Sequence, residues 1–384
     1  MQVRMIGALA GAGMMMGLAA SPATADIVVG VNMAVTGPGA SLAALYKPVF
    51  DQLAKQNVKI GDQPVRFVFL DDGTDPSASV RNARKLITEE KADVIIGSTF
   101  TPGCLAIAAV AAETKTPQLC GAPVRVPKAH HPWVFYVPQK TTIMIGAVVE
   151  HMKKKGVKRV AYIGFADGWG DLVFSALKEV APKAGIEIVA DERYNRPDTS
   201  VTAQALRIVS KRPDAVLVGA SGTPAALPHI ALVQRNFRKG IYHTHGVIGP
   251  DFLRVGGKAV NGAIAPAGPL MVANQLPDDN PIKKVALDFF KAFEANYPHV
   301  RNSFAGYSYD AWLLVQNAAK NALKKAKPGT AEFRVALRDA LEATNGLVGT
   351  HAVYSMSKDD HNGVDQRAVV LVEAQNGAFK LLKE

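Results

Sequence analysis

From residue 26 onward the chain alternates short, continuously apolar runs with segments of helical period, and that alternation limits the fold more than any other feature. The run 27–34 precedes a helix-compatible stretch 42–56; 65–70 precedes a helix 77–90 that Asp75-Pro76 caps. The run 94–97 precedes an Ala-rich helix 102–114, and 118–121 is a short strand. The pattern then restarts: helix 143–155, strand 159–165, helix 172–184, strand 187–190, helix 201–211, strand 215–219 and helix 225–237. Further helices are expected at 288–297, 311–324 and 331–343, with closing strands at Tyr354, 368–373 and 379–382. Strands that are apolar throughout must be covered on both faces, which selects parallel sheets flanked by helices. The fold class is therefore α/β, in two lobes of ~120 residues each, a usual domain size. With no long polar linker, direct crossovers join them.

The N-terminus places such a protein outside the cytoplasm. Arg4, an uncharged run from Met5 to Ala20, and small residues in Ala23-Thr24-Ala25 form a signal peptide over 1–25, with cleavage expected before Asp26. The run is short for a membrane anchor. No cysteine follows it, so the mature protein is expected to be periplasmic and not lipid-anchored. The net charge of +11 falls to +10 without Arg4. Its lysines and arginines are scattered, which describes a solvated surface and not a nucleic-acid groove.

Ligands of open α/β sheets sit beyond the carboxyl ends of the strands. Two such loops share a pattern, Thr101-Pro102-Gly103 and Gly222-Thr223-Pro224, read as a hydroxyl N-cap followed by proline. Free N–H groups at a helix start suit a carboxylate, although the same residues also serve an ordinary helix start. Asp167-Gly168-Trp169-Gly170 sets an aromatic at a third strand end, as a stacking platform or as local packing. His243 and His245 share a face of an extended segment, but no third metal ligand accompanies them. Neither a metal nor a cofactor is expected. Serine-elbow, P-loop, zincin and dinucleotide signatures are absent, and adjacent Asp71-Asp72 reads as turn capping, so no enzyme is expected.

Thr36-Gly37-Pro38, Asp71-Asp72, Val94-Ile95-Ile96-Gly97, Asp167-Gly168-Trp169-Gly170 and Tyr309-Asp310-Ala311 resemble, in order and spacing, the leucine/isoleucine/valine-binding protein family. These are the type I periplasmic binding proteins of ABC importers. The resemblance implies two Rossmann-like lobes, 26–142 plus 266–346 and 143–265 plus 347–384, joined by three hinge crossovers. It implies a small-molecule carboxylate in the cleft, an ABC permease and ATPase as partners, and a monomer. Carried over, Thr101 binds the ligand carboxylate, Ala122 holds the head group through its backbone, and Trp169 closes over the ligand. Leu42 and Phe304 line the side-chain pocket, and Ser221 faces it. The sequence departs from the family at two positions: Val124 stands where amino-acid binders place a hydroxyl, and His245 where they place the acid that pairs with the α-ammonium. An aromatic or keto acid is therefore favoured over a branched-chain amino acid. A ligand sensor with the same fold and an exported hydrolase are the competing classes. The family's frequent disulfide is unmatched, and a Cys104–Cys120 bridge is left open as geometrically allowed.

Overall fold

The computed structural model describes residues 25–382, so the expected signal peptide, apart from Ala25, lies outside the described residues. The first half supplies strands β1 (Ile27–Met33), β2 (Lys59–Ile60), β3 (Gln63–Asp71), β4 (Val94–Gly97), β5 (Gln118–Cys120) and β6 (Val134–Tyr136). Helices α1 (Ala40–Lys55), α2 (Pro76–Thr88) and α3 (Thr101–Thr114) alternate with them. The sheet order is β2-β3-β1-β4-β5-β6, parallel except for β2. After α4 (Thr141–Lys154) the second series runs β7 (Arg159–Phe165), α5 (Gly168–Val180), β8 (Glu187–Tyr194), α6 (Thr202–Ser210), β9 (Ala215–Gly219) and α7 (Ala226–Val233). It continues with β10 (Gly240–His243), α8 (Pro250–Gly256) and β11 (Ile264–Ala267). Helices α9 (Pro281–Phe293), α10 (Ser303–Ala322) and α11 (Ala331–Glu342) follow. A ribbon of β12 (Leu347–Val348) and β13 (Val353–Tyr354) leads to β14 (Val370–Gln375) and β15 (Ala378–Leu381). The second sheet is ordered β15-β14-β11-β10-β9-β7-β8, with only β14 and β15 antiparallel to their neighbours.

Each sheet has its own apolar core. The chain passes from the first core to the second between Val137 and Ile145, returns between Ala267 and Leu270, and crosses again between Ala368 and Val372. The third passage lies beyond 346, the boundary expected from the resemblance. Ala352, Tyr354, Met356, Val364 and Ala368 all pack in the first core. Buried Asp310 on α10 holds that segment: its carboxylate accepts from the N–H of Thr350 (2.6 Å), the N–H of His351 (3.1 Å) and the Tyr354 hydroxyl (3.0 Å). A polar anchor of this kind leaves no periodic signal in the sequence. Strands β6, β10 and β11 also escaped the sequence pattern. Among the described residues no helix is long and apolar enough to cross a membrane.

Cys104 and Cys120 are buried free thiols, so the bridge left open by the sequence is not formed. The Cys104 thiol is directed to the carbonyl of Ser98 (3.1 Å), and burial raises the Cys120 pKa well above its ordinary value. Asp71 and Asp72, adjacent in sequence, do separate structural work. Asp71 accepts from the N–H groups of Val35, Thr36 and Gly73 and from the Thr36 hydroxyl, which lowers its pKa. Asp72 is 1% exposed and ties three strand ends together. It accepts from Asn32 Nδ2 (2.7 Å), Ser98 Oγ (2.7 Å), Ser79 Oγ (2.9 Å) and the Thr74 N–H (3.0 Å). Burial nevertheless raises its pKa. Asp72→Ala strands those donors in a dry site and is expected to cost about 3 kcal/mol. Urea unfolding of the variant against wild type checks this; a loss below about 1 kcal/mol, the worth of one ordinary hydrogen bond, would show that the cluster is not a clamp.

Candidate ligand-binding site

The carboxyl ends of the parallel strands in the two sheets converge on one small, largely closed cavity. Its first-lobe wall comes from α1 (Leu42, Tyr46), the loop after β4 (Thr99, Phe100, Thr101), the loop after β5 (Gly121, Ala122, Pro123) and Phe304 on α10. The second-lobe wall is Trp169 after β7, Arg196 after β8, Ser221 after β9 and His245 after β10. All seven residues singled out in the sequence therefore share this cavity. No carboxylate is among its lining residues.

The two Thr-Pro motifs start helical turns, but neither threonine caps. Phe100 holds the extended N-cap conformation, so Thr101 is already helical and its hydroxyl donates to the Pro123 carbonyl (2.8 Å). The turn Thr223–Ala225 likewise has Gly222 as its cap residue and no side-chain capping bond. The Thr223 N–H instead crosses the cleft to Ser41 Oγ (3.3 Å), joining the lobes. Gly222 has φ +64°, and a Cβ there would lie 2.7 Å from that serine oxygen, so both its conformation and its contact call for glycine.

Asp167 caps α5 by accepting from the N–H groups of Trp169 (2.9 Å) and Gly170 (3.2 Å). Trp169 is buried edge-on to His245, with ring centroids 5.5 Å apart at 90°. Its indole Nε1–H meets no acceptor among the described residues. The other oxygen of Asp167 accepts from Arg196 Nε at 2.6 Å. The Arg196 side chain, only 10% exposed, stacks on Phe165 (4.2 Å), and its Nη1 reaches Ser221 Oγ at 3.4 Å. Arg196 thus brings a permanent cation with unused donors to the cavity.

Sequence reasoning missed Arg196 because it ended the strand at residue 190. Strand β8 runs on to Tyr194 at the edge of its sheet, where Asp191, Glu192 and Arg193 are tolerated because they keep contact with solvent. Ending the strand at the buried Tyr194 would have put Arg196 on a strand-end loop. Val124 does not line the cavity. It is half-buried beside Cys104, Ala108 and Ala122, and it faces a separate surface pocket, so the inference drawn from its missing hydroxyl lapses.

His243 and His245 have different surroundings. His243 pairs with His229 across 2.9 Å in the second core, whereas His245 packs against Trp169 and Tyr307 in the cleft. Burial first, and His351 second, push the His245 pKa down to about 3, so it is neutral at pH 7. His229 and His351 are pushed down to about 4, and His243 also falls well below its ordinary value. A base with a depressed folded-state pKa contributes stability that is present above its unfolded value near 6.5 and lost as pH falls. Asp93 and Asp310, raised to about 6, work in the opposite direction over part of that range. The histidines outnumber them, so stability should fall on acidification from pH 6.5 to 4. His245→Gln should reduce the slope of unfolding free energy against pH by about 1.4 kcal/mol per unit in that window, the equivalent of one proton. Urea titrations at half-unit pH steps measure it; an unchanged slope would mean that His245 titrates normally.

The comparisons with known proteins agree with this geometry. Residues 26–378 match the family model described as periplasmic binding protein. The chain is similar to an extracellular ligand-binding receptor from Rhodopseudomonas palustris HaA2, at 42% identity and TM-score 0.90, covering 94% of this chain and 100% of that one. It has the fold of a leucine-binding protein from Thermotoga maritima, at 20% identity and TM-score 0.80, covering 93% and 98%. It also has the fold of an ABC transporter solute-binding protein from R. palustris solved in complex with benzoate, at 23% identity and TM-score 0.78, covering 93% and 96%.

Proposed function

The chain belongs to the periplasmic binding protein family, and from that premise we propose that it captures a small aromatic carboxylate between its lobes for an ABC importer. The single observation that carries the ligand class is Arg196, a poorly exposed guanidinium facing a cavity that no Asp or Glu lines. A carboxylate would accept from the Nη hydrogens that Arg196 does not give to Ser221, from the orphaned Trp169 indole N–H and from the N-terminal turn of α3 beside Thr101. An amino acid would also bring an ammonium, which would find no counter-charge here. A lost charge-assisted bond costs about 1.5–3 kcal/mol, and repulsion from Arg196 adds to it. Neutral His245 offers an imidazole to a hydroxyl or carbonyl but cannot replace the missing acid. The remaining wall is largely aromatic: Trp169, Tyr46, Phe304 and Phe100 suit a flat ring. The benzoate held by a solved structure of the same fold is consistent with that class.

Binding would work by closure. The ligand touches both walls and so stabilises the state in which Ser41 meets Thr223. The moving bodies are taken to divide where the chain passes between cores, near 142, 268 and 369. The protein would act as a monomer outside the cytoplasm, delivering ligand to a permease and its ATPase without chemical change. A thermal-shift screen of benzoates, phenylpropanoids and keto acids against leucine, isoleucine and valine tests the ligand class. Calorimetry should then show Arg196→Met weakening the best acid by about 10- to 100-fold, with Arg196→Lys in between. Binding of amino acids alone, or an Arg196→Met variant with wild-type affinity for the acid, would overturn the reading.

A further inference from the structure

Behind the cleft, inside the first lobe, lies a second, narrow cavity with almost wholly apolar walls and room for no more than about one water molecule. Its depth is formed by Met33, Phe50, Ile96, Val137 and Ala311. Polar groups around it are already satisfied: Ser308 Oγ donates to the Tyr46 carbonyl (2.9 Å), and the Tyr307 hydroxyl donates to Gln139 Oε1 (2.6 Å). The two cavities share three lining residues, Tyr46, Thr99 and Gly121. Of these only Tyr46 has a side chain large enough to separate them. Its hydroxyl donates to the Gly121 carbonyl, which fixes the ring across the gap. Phe304 at 5.4 Å and Tyr307 at 6.3 Å flank the ring.

We infer that Tyr46 is the specificity-determining partition of this site: its ring ends the cleft and excludes acids with a long apolar tail, which the space taken by the ring, joined to the narrow cavity behind it, would otherwise accept. This rests on the aromatic-carboxylate reading above for the identity of the head group, but not for the existence of the partition. The inner cavity is small and apolar and offers no unpaired polar group from Asn32 or Ser308, so the room for a tail would come mainly from the ring's own space. A tail reaching it would gain burial without a new hydrogen bond, so selectivity depends on whether the ring stands in the way. The tyrosine latches to a backbone carbonyl, whereas a phenylalanine would be held by packing alone.

The test compares benzoate with 4-butylbenzoate by calorimetry on wild type, Tyr46→Ala, Tyr46→Leu and Tyr46→Phe. Thermal shift with toluene, an apolar probe that lacks the carboxylate, runs beside it. Wild type should prefer benzoate, and Tyr46→Ala should move the ratio toward 4-butylbenzoate by about tenfold or more. Toluene should raise the melting temperature of that variant and not of wild type. If Tyr46→Ala does not fold, Tyr46→Leu opens the same gap and carries the same expectation. Tyr46→Phe should keep the wild-type ratio within about threefold, since the ring remains. An unchanged ratio in the small-residue variants, or a shift in Tyr46→Phe as large as theirs, overturns the partition. If wild type binds neither acid, the aromatic-carboxylate reading fails, and the toluene arm still decides whether Tyr46 separates the cavities.

Discussion

The arrangement of the cleft depends on one carboxylate. Asp167 accepts from two backbone N–H groups at the start of α5 and from the guanidinium of Arg196. The first pair of bonds sets where Trp169 enters the cavity, and the third sets where the cation stands. The two side chains are 20% and 10% exposed, so the pair is largely desolvated, and separating it would leave a charge with no partner. This explains how a cation can face an apolar cleft before any ligand arrives. Asp167 holds Nε, leaving the Nη edge of the fork toward Ser221 and the cavity. The charge is positioned in advance, so an anionic ligand of the proposed class would not need to organise it.

Much of the fold was legible in the sequence because burial on both sheet faces writes continuous apolar strands. Strands β7 and β9 fell where the pattern put them, and α3 and α11 differed only at their ends. The elements that escaped are those whose position is set by something other than periodicity. The 347–368 segment belongs to the first core through a buried acid on a distant helix. Helix α10 starts at Ser303, eight residues before the expected start, because Asn302 caps it through the Ala305 N–H (2.8 Å). The aromatic residues in its first turns disguised that beginning.

The site divides in the same way. The seven residues carried by motif and resemblance all reach one cavity, although the local reason given for Thr101 was mistaken: its hydroxyl serves the Pro123 carbonyl and not the helix end. Tyr46 was invisible because nothing in α1 separates a tyrosine that packs in the core from one that walls a pocket; here it does both. Arg196 was invisible because charged residues within an edge strand look like the strand's end. Strand-end loops carry ligand chemistry, so an error of four residues in a strand boundary hides a binding residue while leaving the fold assignment intact.

The two walls of the cleft differ in kind, and this bears on how closure is driven. The first lobe contributes mainly shape: Leu42, Tyr46, Phe100, Phe304 and the backbone of Gly121 to Pro123. The second contributes most of the polar chemistry: Arg196, Ser221, His245 and the indole N–H of Trp169. A ligand with an apolar body and one anionic end would satisfy each wall only in part while the lobes stand apart. Its differential affinity for the closed state is therefore largely the sum of what the second wall adds once the first has taken the ring. Among the described residues the one direct polar bond across the cleft edge is weak by geometry, the 3.3 Å contact from Thr223 to Ser41. One such bond is worth about 1 kcal/mol net, too little to hold two lobes shut. On the proposed reading, ligand contacts to both walls would therefore supply most of the preference for the closed state, beside the packing of His245 on Tyr307 and of Arg196 over Phe100.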